Sequence, residues 1–547
     1  MVNKDQFRSA ANKAIENVIK HGDTDIFPFP FENRIIFDEK EKVADLINEY
    51  DNNFDEYLAR YSPLNISSLT PVSYTGFRWA TQIDPIWNVY FLACVIALAT
   101  KIEAARLPKG ENTVYSYRYK PNKATGDLFD RNYGWYQFME RSIDLSKQHG
   151  FVVACDISEF YPRLGHHRLE NALKQVAGET PYPKRLMDFL SNFSNTRSFG
   201  LPVGGPAARL LSELTINQID RLLVAARIKF CRFADDFHMF ADSREEAYKN
   251  LIFISEKLFD NQGLSLQKSK TRIMTSSEFI STNPISTVAT EIDAEHEGQA
   301  AAEQHNQLGQ FLRFSLRFDP YSATAKEDYQ KLKTEIRRFD VIGILKEELA
   351  KSRVHTALAK KVVSAIQYLD DRSKNDAVLS ILENCDVLYP IYSSVLTMLG
   401  QVYSSLAAKT QNELIDKLRS LIESQTHIFR VDVHLSYALR VLAQANTTEN
   451  QSLLHKLYEE RTSPIIRRDI IIILANWGDW YWVSDLRNRF RQISGAERRA
   501  FIAASYTLKD EGDHWRKYIR DELNPFEKLV MEWSGKKANR ANWEIPL

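Results

Sequence analysis

Lys229-Phe-Cys-Arg-Phe-Ala-Asp-Asp-Phe-His-Met-Phe240 is the stretch on which the reading of this chain turns. Apolar residues crowd both sides of an adjacent acidic pair, Asp235 and Asp236. The pattern predicts two strands meeting at a tight turn, because β-rich apolar runs are punctuated by Asp. Such a turn holds two carboxylates together at a solvent-facing tip. Charges of one sign that close repel unless a cation neutralises them, so the pair suggests a magnesium site and two-metal phosphoryl transfer. Taken alone, the pair fits a plain hairpin turn equally well.

A second acidic strand end lies upstream. Phe151-Val-Val-Ala-Cys-Asp156 is a short apolar run ending in a carboxylate, followed by Ile157-Ser-Glu-Phe-Tyr161. Laid side by side, the two strands would bring Asp156 and Asp235 face to face around the same ions, which two-metal sites hold about 3.5–4 Å apart. Between them falls Gly200-Leu-Pro-Val-Gly-Gly-Pro206. Its glycines allow the backbone to approach a ligand closely; an ordinary loop before a helix is the alternative.

Asp156-Ile-Ser-Glu-Phe-Tyr161, Gly200-Leu-Pro-Val-Gly-Gly-Pro206, Phe233-Ala-Asp-Asp236 and Gly263-Leu-Ser-Leu-Gln-Lys-Ser-Lys-Thr-Arg272 stand in one order. Together they resemble motifs A, B, C and D of reverse transcriptases, over roughly residues 70–275 as fingers and palm. The resemblance implies that Asp156 and Asp235 bind two magnesium ions, manganese being an alternate, with the Ile157 carbonyl as a further ligand and Asp236 as the second acid of the turn. It implies that Tyr161, beside Phe160, is an aromatic gate under the sugar, where a 2′-hydroxyl would clash. Gly204 and Gly205 would lie against template or incoming nucleotide. Many relatives carry Gln where this chain has Val203. Lys270, in preference to Lys268, would stand near the β- and γ-phosphates and protonate pyrophosphate. Tyr115-Ser-Tyr-Arg-Tyr-Lys120 resembles the fingers strand that grips triphosphate, with Arg118 first, Lys120 behind it and Arg78 a weaker candidate; a half-exposed strand is the plain alternative.

Lys plus Arg equals Asp plus Glu at 71 each in 547 residues, so no global attraction draws the chain to nucleic acid, although a local basic groove needs none. The four cysteines have no zinc spacing and read as reduced core residues, which fits a cytoplasmic enzyme. His166-His167 lacks ligand partners and reads as a solvated turn. No signal peptide is evident, and the apolar stretch from Val89 to Thr100 is too short for a bilayer, reading instead as a buried fingers helix.

The fold class expected is α+β: a right-hand polymerase fingers and palm, then an all-α HEAT-like helical repeat domain in place of a conventional thumb. Residues 1–70 form an N-terminal helical extension and fingers entry, 71–300 the fingers and palm, and 301–547 the helical repeats. Ser276 to about Asn306 reads as a polar connector, with a new helix beginning within Ala300 to Glu303. Beyond it, helical spacing recurs every 35–45 residues or so, which suits stacked helix pairs or an irregular bundle.

This architecture resembles the bacterial abortive-infection and defence-associated reverse transcriptases. That group implies antiphage DNA synthesis from deoxynucleotides, protein-primed or untemplated, with DNA left attached to the protein, and trimers or hexamers of the chain. A templated enzyme of the retron, CRISPR-associated or intron-related kind, copying a non-coding RNA, is a second reading. A silent palm whose helical domain senses phage is a third. A diguanylate-cyclase palm gives the Gly200 and Gly263 motifs no role. Tyr481 is one conspicuous tyrosine, expected buried in the helical core. Arg487, Arg489, Arg491, Arg498, Arg499, Arg516 and Arg520 form either a patch for product DNA or a non-coding RNA, or a solvated helix face or subunit contact balanced by acidic neighbours such as Glu497 and Asp513.

Overall fold

The computed structural model describes residues 4–24, 26–194, 197–283, 340–351, 353–354, 356–540 and 543–547. The expected helix start at Ala300 to Glu303 and the boundary at 300/301 lie outside the described residues. Strands among the described residues are β1 (Asn65–Pro71), β2 (Phe77–Ile83), β3 (Tyr119–Asn122), β4 (Asp127–Phe129), β5 (Phe151–Asp156), β6 (Lys229–Phe233), β7 (Asp236–Ala241) and β8 (Arg272–Thr275).

The chain divides into two compact units. The first comprises residues 1–24, 40–63 and 85–297. Its centre is an antiparallel sheet in the order β6-β7-β5-β8. Helix Arg244–Gln262 packs on β5 and β7, and helix Trp135–Ser146 on β6 and β7. Val152, Val153, Cys155, Phe237, Met239 and Phe240 are therefore all buried, and the strands read as unbroken apolar runs rather than alternating ones. Phe138 and Met139 pack with Val152, Cys231 and Phe240.

Local chemistry sets the ends of the helices. Ser243 caps helix Arg244–Gln262 by accepting from the Glu246 amide, and Gly263, at φ 66°, closes it in the left-handed conformation. Gly205 precedes helix Pro206–Ala225, whose proline occupies the first turn, where no amide donor is needed. Helix Pro85–Ala105 runs longer than the apolar stretch expected from Val89 to Thr100. Its 21 residues are long and apolar enough to cross a membrane, yet 83% of its most apolar window is buried within the protein.

The second unit comprises residues 25–39, 64–84 and 298–547. The expected boundary at 70/71 falls inside β1, and the β1–β2 hairpin groups with the C-terminal helices rather than with the palm. Tyr74 donates to the Val387 carbonyl at 2.6 Å, and Arg499 bonds both Glu32 (2.7 Å) and Asp84 (2.8 Å) in a buried clasp. Trp533 donates to Asp38 at 2.7 Å, tying down the same N-terminal segment.

Helices Tyr392–Val402, Asp432–Leu442, Pro464–Asn476, Gly495–Ala504 and Pro525–Ala538 each pack on the next in that series. Ala408–Glu423 likewise touches both Asp371–Glu383 and Thr448–Glu460. Alternate helices thus form two rows, so each helix pair buries its apolar face against its neighbours. Ser276–Thr282 is a helix capped by Thr275, whereas a connector was expected to begin there. The Thr275 hydroxyl and Phe279, which is buried, supply the cap and the anchor.

Candidate functional site

β6 and β7 pair as a hairpin in which Phe233 stands opposite Asp236, leaving Ala234 and Asp235 as a two-residue turn. Ala234 takes φ 52°, a left-handed conformation unusual for a residue with a β-carbon. β5 then pairs with β7 so that Asp156 is the register partner of Asp236. Directly opposite residues on an antiparallel pair share a face, with β-carbons about 4.5–5.5 Å apart. The Ile157 amide donates to the Asp235 carbonyl at 3.1 Å, fixing the turn against the end of β5.

The three acids feel one another's charge. Burial, then Asp235, then Asp156 push the Asp236 carboxyl up to about 7, with Lys270 working the other way. Lys270 lies in the turn Lys268–Lys270 and donates to Asp156 Oδ2 at 2.5 Å. Burial disfavours its charge, but Asp156 and then Asp236 and Asp235 outweigh that and raise its pKa. Lys268 is exposed and has no such partner among the described residues.

Among the described residues no three ligating side chains are already drawn together around a single point. The donor set nevertheless fits a hard divalent cation. Three carboxylates interact repulsively where one ammonium offsets them, and oxygen ligands of this kind suit magnesium. Asp156, Asp235 and Asp236 are the side chains that would hold it.

Tyr161 follows β5 at the start of a short helical turn, Phe160–Arg163. Phe160 is buried against it, with ring centroids 5.2 Å apart. Burial raises the Tyr161 phenol well above its ordinary value; Tyr117, which hydrogen-bonds it, and Asp235 add to the shift. The glycine-rich segment is zipped to this turn. Leu201 donates to the Tyr161 carbonyl at 2.9 Å and Gly200 to the Leu164 carbonyl at 2.8 Å. Gly204 adopts φ 119°, which a side chain would strain. Val203 is buried.

A family model described as "Reverse transcriptase (RNA-dependent DNA polymerase)" matches residues 98–310. The chain carries a reverse transcriptase domain. By that domain it is an RNA-directed DNA polymerase, a nucleotidyltransferase. No curated protein matches the chain. Among solved structures, telomerase from Candida albicans in complex with a TWJ fragment of telomeric RNA aligns at 10% identity and TM-score 0.31, over 67% of this chain and 69% of that chain. Apo telomerase from Candida tropicalis aligns at 10% identity and TM-score 0.26, over 69% and 71%.

Not every expected nucleotide contact of the reverse transcriptase domain faces open space. Arg118 is only 2% exposed, pairing with Glu103 at 2.9 Å and bonding the Leu107 carbonyl at 2.8 Å. The segment expected as a fingers strand is strand only from Tyr119, so Arg118 turns into the core rather than alternating outward. Lys120 is exposed, 3.5 Å from Asp130. Arg78 is exposed on β2, within the second unit. His166 is buried with its ring nitrogen 2.8 Å from the Gly200 carbonyl, supporting the glycine segment instead of forming a solvated turn.

One expectation for the helical unit also changes, and one open alternative narrows. Tyr481 is 78% exposed, and Trp482 is the ring that packs, stacked on His455 at 5.6 Å. Adjacent helical residues point about 100° apart, so one aromatic of the run goes in and its neighbour out. The C-terminal arginines are mostly neutralised: Arg487 by Glu511, Arg489 by Glu459 and Asp485, Arg491 by Glu522, Arg498 by Glu527. That favours the balanced face over a nucleic-acid patch.

Sequence reasoning missed the groups behind the site. Arg106, Glu213, Asp220 and Arg232 form a buried ionic cluster beneath the turn. Arg209 lies over the Tyr117 ring at 5.3 Å. The only signal in the sequence was the placing of Glu213 and Asp220 among the apolar residues of one helix.

Proposed function

We propose that the chain is a magnesium-dependent DNA polymerase of antiphage defence, synthesising DNA from deoxynucleotides by protein-primed or untemplated addition. One observation carries the chemistry. Asp156 and Asp236 are register partners, Asp235 fills the adjoining turn, and Tyr161 stands close enough to feel its charge. Magnesium, when held by these carboxylates and the Ile157 carbonyl, supplies charge stabilisation at the α-phosphate and acidifies the attacking hydroxyl. Lys270 holds a proton at Nζ beside that position, available to departing pyrophosphate. Tyr161 excludes a 2′-hydroxyl, and Gly204 and Gly205 leave room for a base or sugar.

The defence role is supported by the resemblance of the four motifs followed by stacked helix pairs of HEAT type. In this reading the enzyme works in the cytoplasm as a trimer or hexamer, and its product stays covalently attached. Templated copying of a non-coding RNA is the second reading, favoured by the RNA-dependent description of the matching family.

Purified protein incubated with each deoxynucleotide and magnesium, then digested with protease or nuclease, separates the two. DNA attached to protein without added RNA supports the first; detachable product that requires RNA supports the second. Phage protection retained by a folded D235A/D236A variant contradicts both and favours a silent, sensing palm.

A further inference from the structure

Three residues beside the site hold backbone conformations that side-chain-bearing residues rarely adopt: Glu159 at φ 48°, Tyr117 at φ 46° and Ala234 at φ 52°. Tyr117 carries the hydroxyl that hydrogen-bonds Tyr161. Ala234 begins the turn that presents Asp235. Such conformations persist only where the surroundings over-determine them.

At Tyr117 and at Ala234 a buried arginine holds the strained residue by its carbonyl. Arg106 Nη1 donates to Tyr117 at 3.0 Å, and Arg232 Nη1 donates to Ala234 at 2.9 Å. Both arginines end on one carboxylate. Glu213 Oε2 accepts from Arg106 Nη2 at 2.5 Å and from Arg232 Nη2 at 2.9 Å. Glu213 Oε1 accepts from Arg232 Nη1 at 3.1 Å and from the Ser116 hydroxyl, one residue before Tyr117, at 2.5 Å. Asp220 completes the cluster with bonds to Arg232 Nε (2.7 Å) and Nη2 (2.6 Å). Glu213 is fully buried, and although burial opposes its charge, Arg232 and Arg106 outweigh that and lower its pKa.

We propose that Glu213 is a positioning residue that couples sugar selection at Tyr161 to the carboxylate turn at Asp235 and Asp236, acting through Arg106 and Arg232. The inference rests on the reading of Tyr161 as a sugar gate. A carboxylate gripped by two planar guanidinium forks has little freedom, so it sets the distance between gate and turn. It touches neither nucleotide nor metal. Loosening it moves both ends; loosening one arginine moves one.

The test compares kcat/KM for dATP and ATP, and the magnesium concentration for half-maximal rate, in wild type, Glu213→Gln, Arg106→Lys and Arg232→Lys. Glu213→Gln is expected to lower the dATP/ATP ratio at least tenfold and to raise the magnesium requirement. Arg106→Lys is expected to change the ratio only, and Arg232→Lys the magnesium requirement only. A general structural defect would lower both nucleotides alike and leave the ratio unchanged; that result in folded Glu213→Gln overturns the proposal. If Glu213→Gln does not fold, the two lysine variants decide, and identical effects from both overturn it. Thermal shifts with dATP or ATP in calcium read selection without turnover. Wild type that fails to discriminate there removes the gate itself and the proposal with it, whereas discrimination kept by all three variants removes the role of Glu213 alone.

Discussion

Asp156, at the end of β5, stands directly across the strand pair from Asp236, at the start of β7. The sheet thus places two carboxylates opposite one another at a strand end, and the β6–β7 turn adds a third in Asp235. No fold stability is gained by that arrangement. Burial and then repulsion push the Asp236 carboxyl up to about 7, so the site is built at a cost that a bound cation would relieve.

Replacing Asp156 or Asp235 by Asn is expected to remove catalysis while preserving the fold. Metal-borne charge stabilisation amounts to several kcal/mol in the transition state, so the loss should be roughly a thousandfold or more. Nucleotide incorporation and thermal melting, measured on the same preparations, check this. The Asn proteins should melt no lower than wild type in chelator, because like-charge repulsion has been removed.

Metal-free protein should lose stability as pH rises from about 4 to about 7. An ordinary carboxyl in the unfolded chain releases its proton near 3.9, while folded Asp236 keeps it until about 7. Across that window the native state binds more protons, so the slope of stability with pH is negative. Magnesium should therefore raise Tm more at pH 8 than at pH 5.5, where it must displace a proton. Asp236→Asn should flatten both effects; melting curves with magnesium or chelator read them.

Lys270 occupies Asp156 at 2.5 Å, where a cation would compete with it. Lys270→Ala should lower the magnesium concentration that stabilises the nucleotide-free protein. The same variant should turn over roughly a hundredfold more slowly, the lower range for loss of a general acid. Titrating magnesium against Tm and against rate shows the two effects moving in opposite directions.

Arg118→Ala should behave as a core lesion. The variant loses the buried pairing with Glu103, which keeps Arg106 at 3.2 Å, and the bond to the Leu107 carbonyl, a cost of about 1.5–3 kcal/mol. Tm should fall sharply, while KM for deoxynucleotide in the protein that remains folded stays near wild type. A large KM effect at unchanged Tm would return Arg118 to the nucleotide site.

Arg499→Ala should release the segment around Glu32 and the end of the β1–β2 hairpin at Asp84. A loss of about 3–5 kcal/mol is expected. Limited proteolysis should then cut near residues 26–39, a segment expected to resist cleavage in wild type.

The palm was legible because its signals are local. The apolar runs around Asp156 and the Asp235–Asp236 pair state both strand and turn, and the glycines of Gly200-Leu-Pro-Val-Gly-Gly-Pro206 mark a backbone with positive φ at two positions. What stayed hidden depends on partners distant in the chain. Alternation of aromatic and basic residues says that one face is buried but not which, so Arg118 was assigned outward although Glu103 draws it in. Arg232 resembles any basic residue in a strand until Glu213 and Asp220 meet it. The grouping of the β1–β2 hairpin with helices more than 300 residues away, as in Tyr74 to Val387, has no sequence-local sign. Among Trp480, Tyr481 and Trp482, the choice of the packed ring hangs on the helix phase, which a short aromatic run does not state.

The most direct test is incorporation of labelled deoxynucleotide by the purified chain, with magnesium or chelator, in wild type and in D235A/D236A matched for melting temperature. The account predicts incorporation by wild type in magnesium, none in chelator, and none by the double variant. Equal incorporation by the double variant, or a wild-type rate indifferent to chelation, would contradict it.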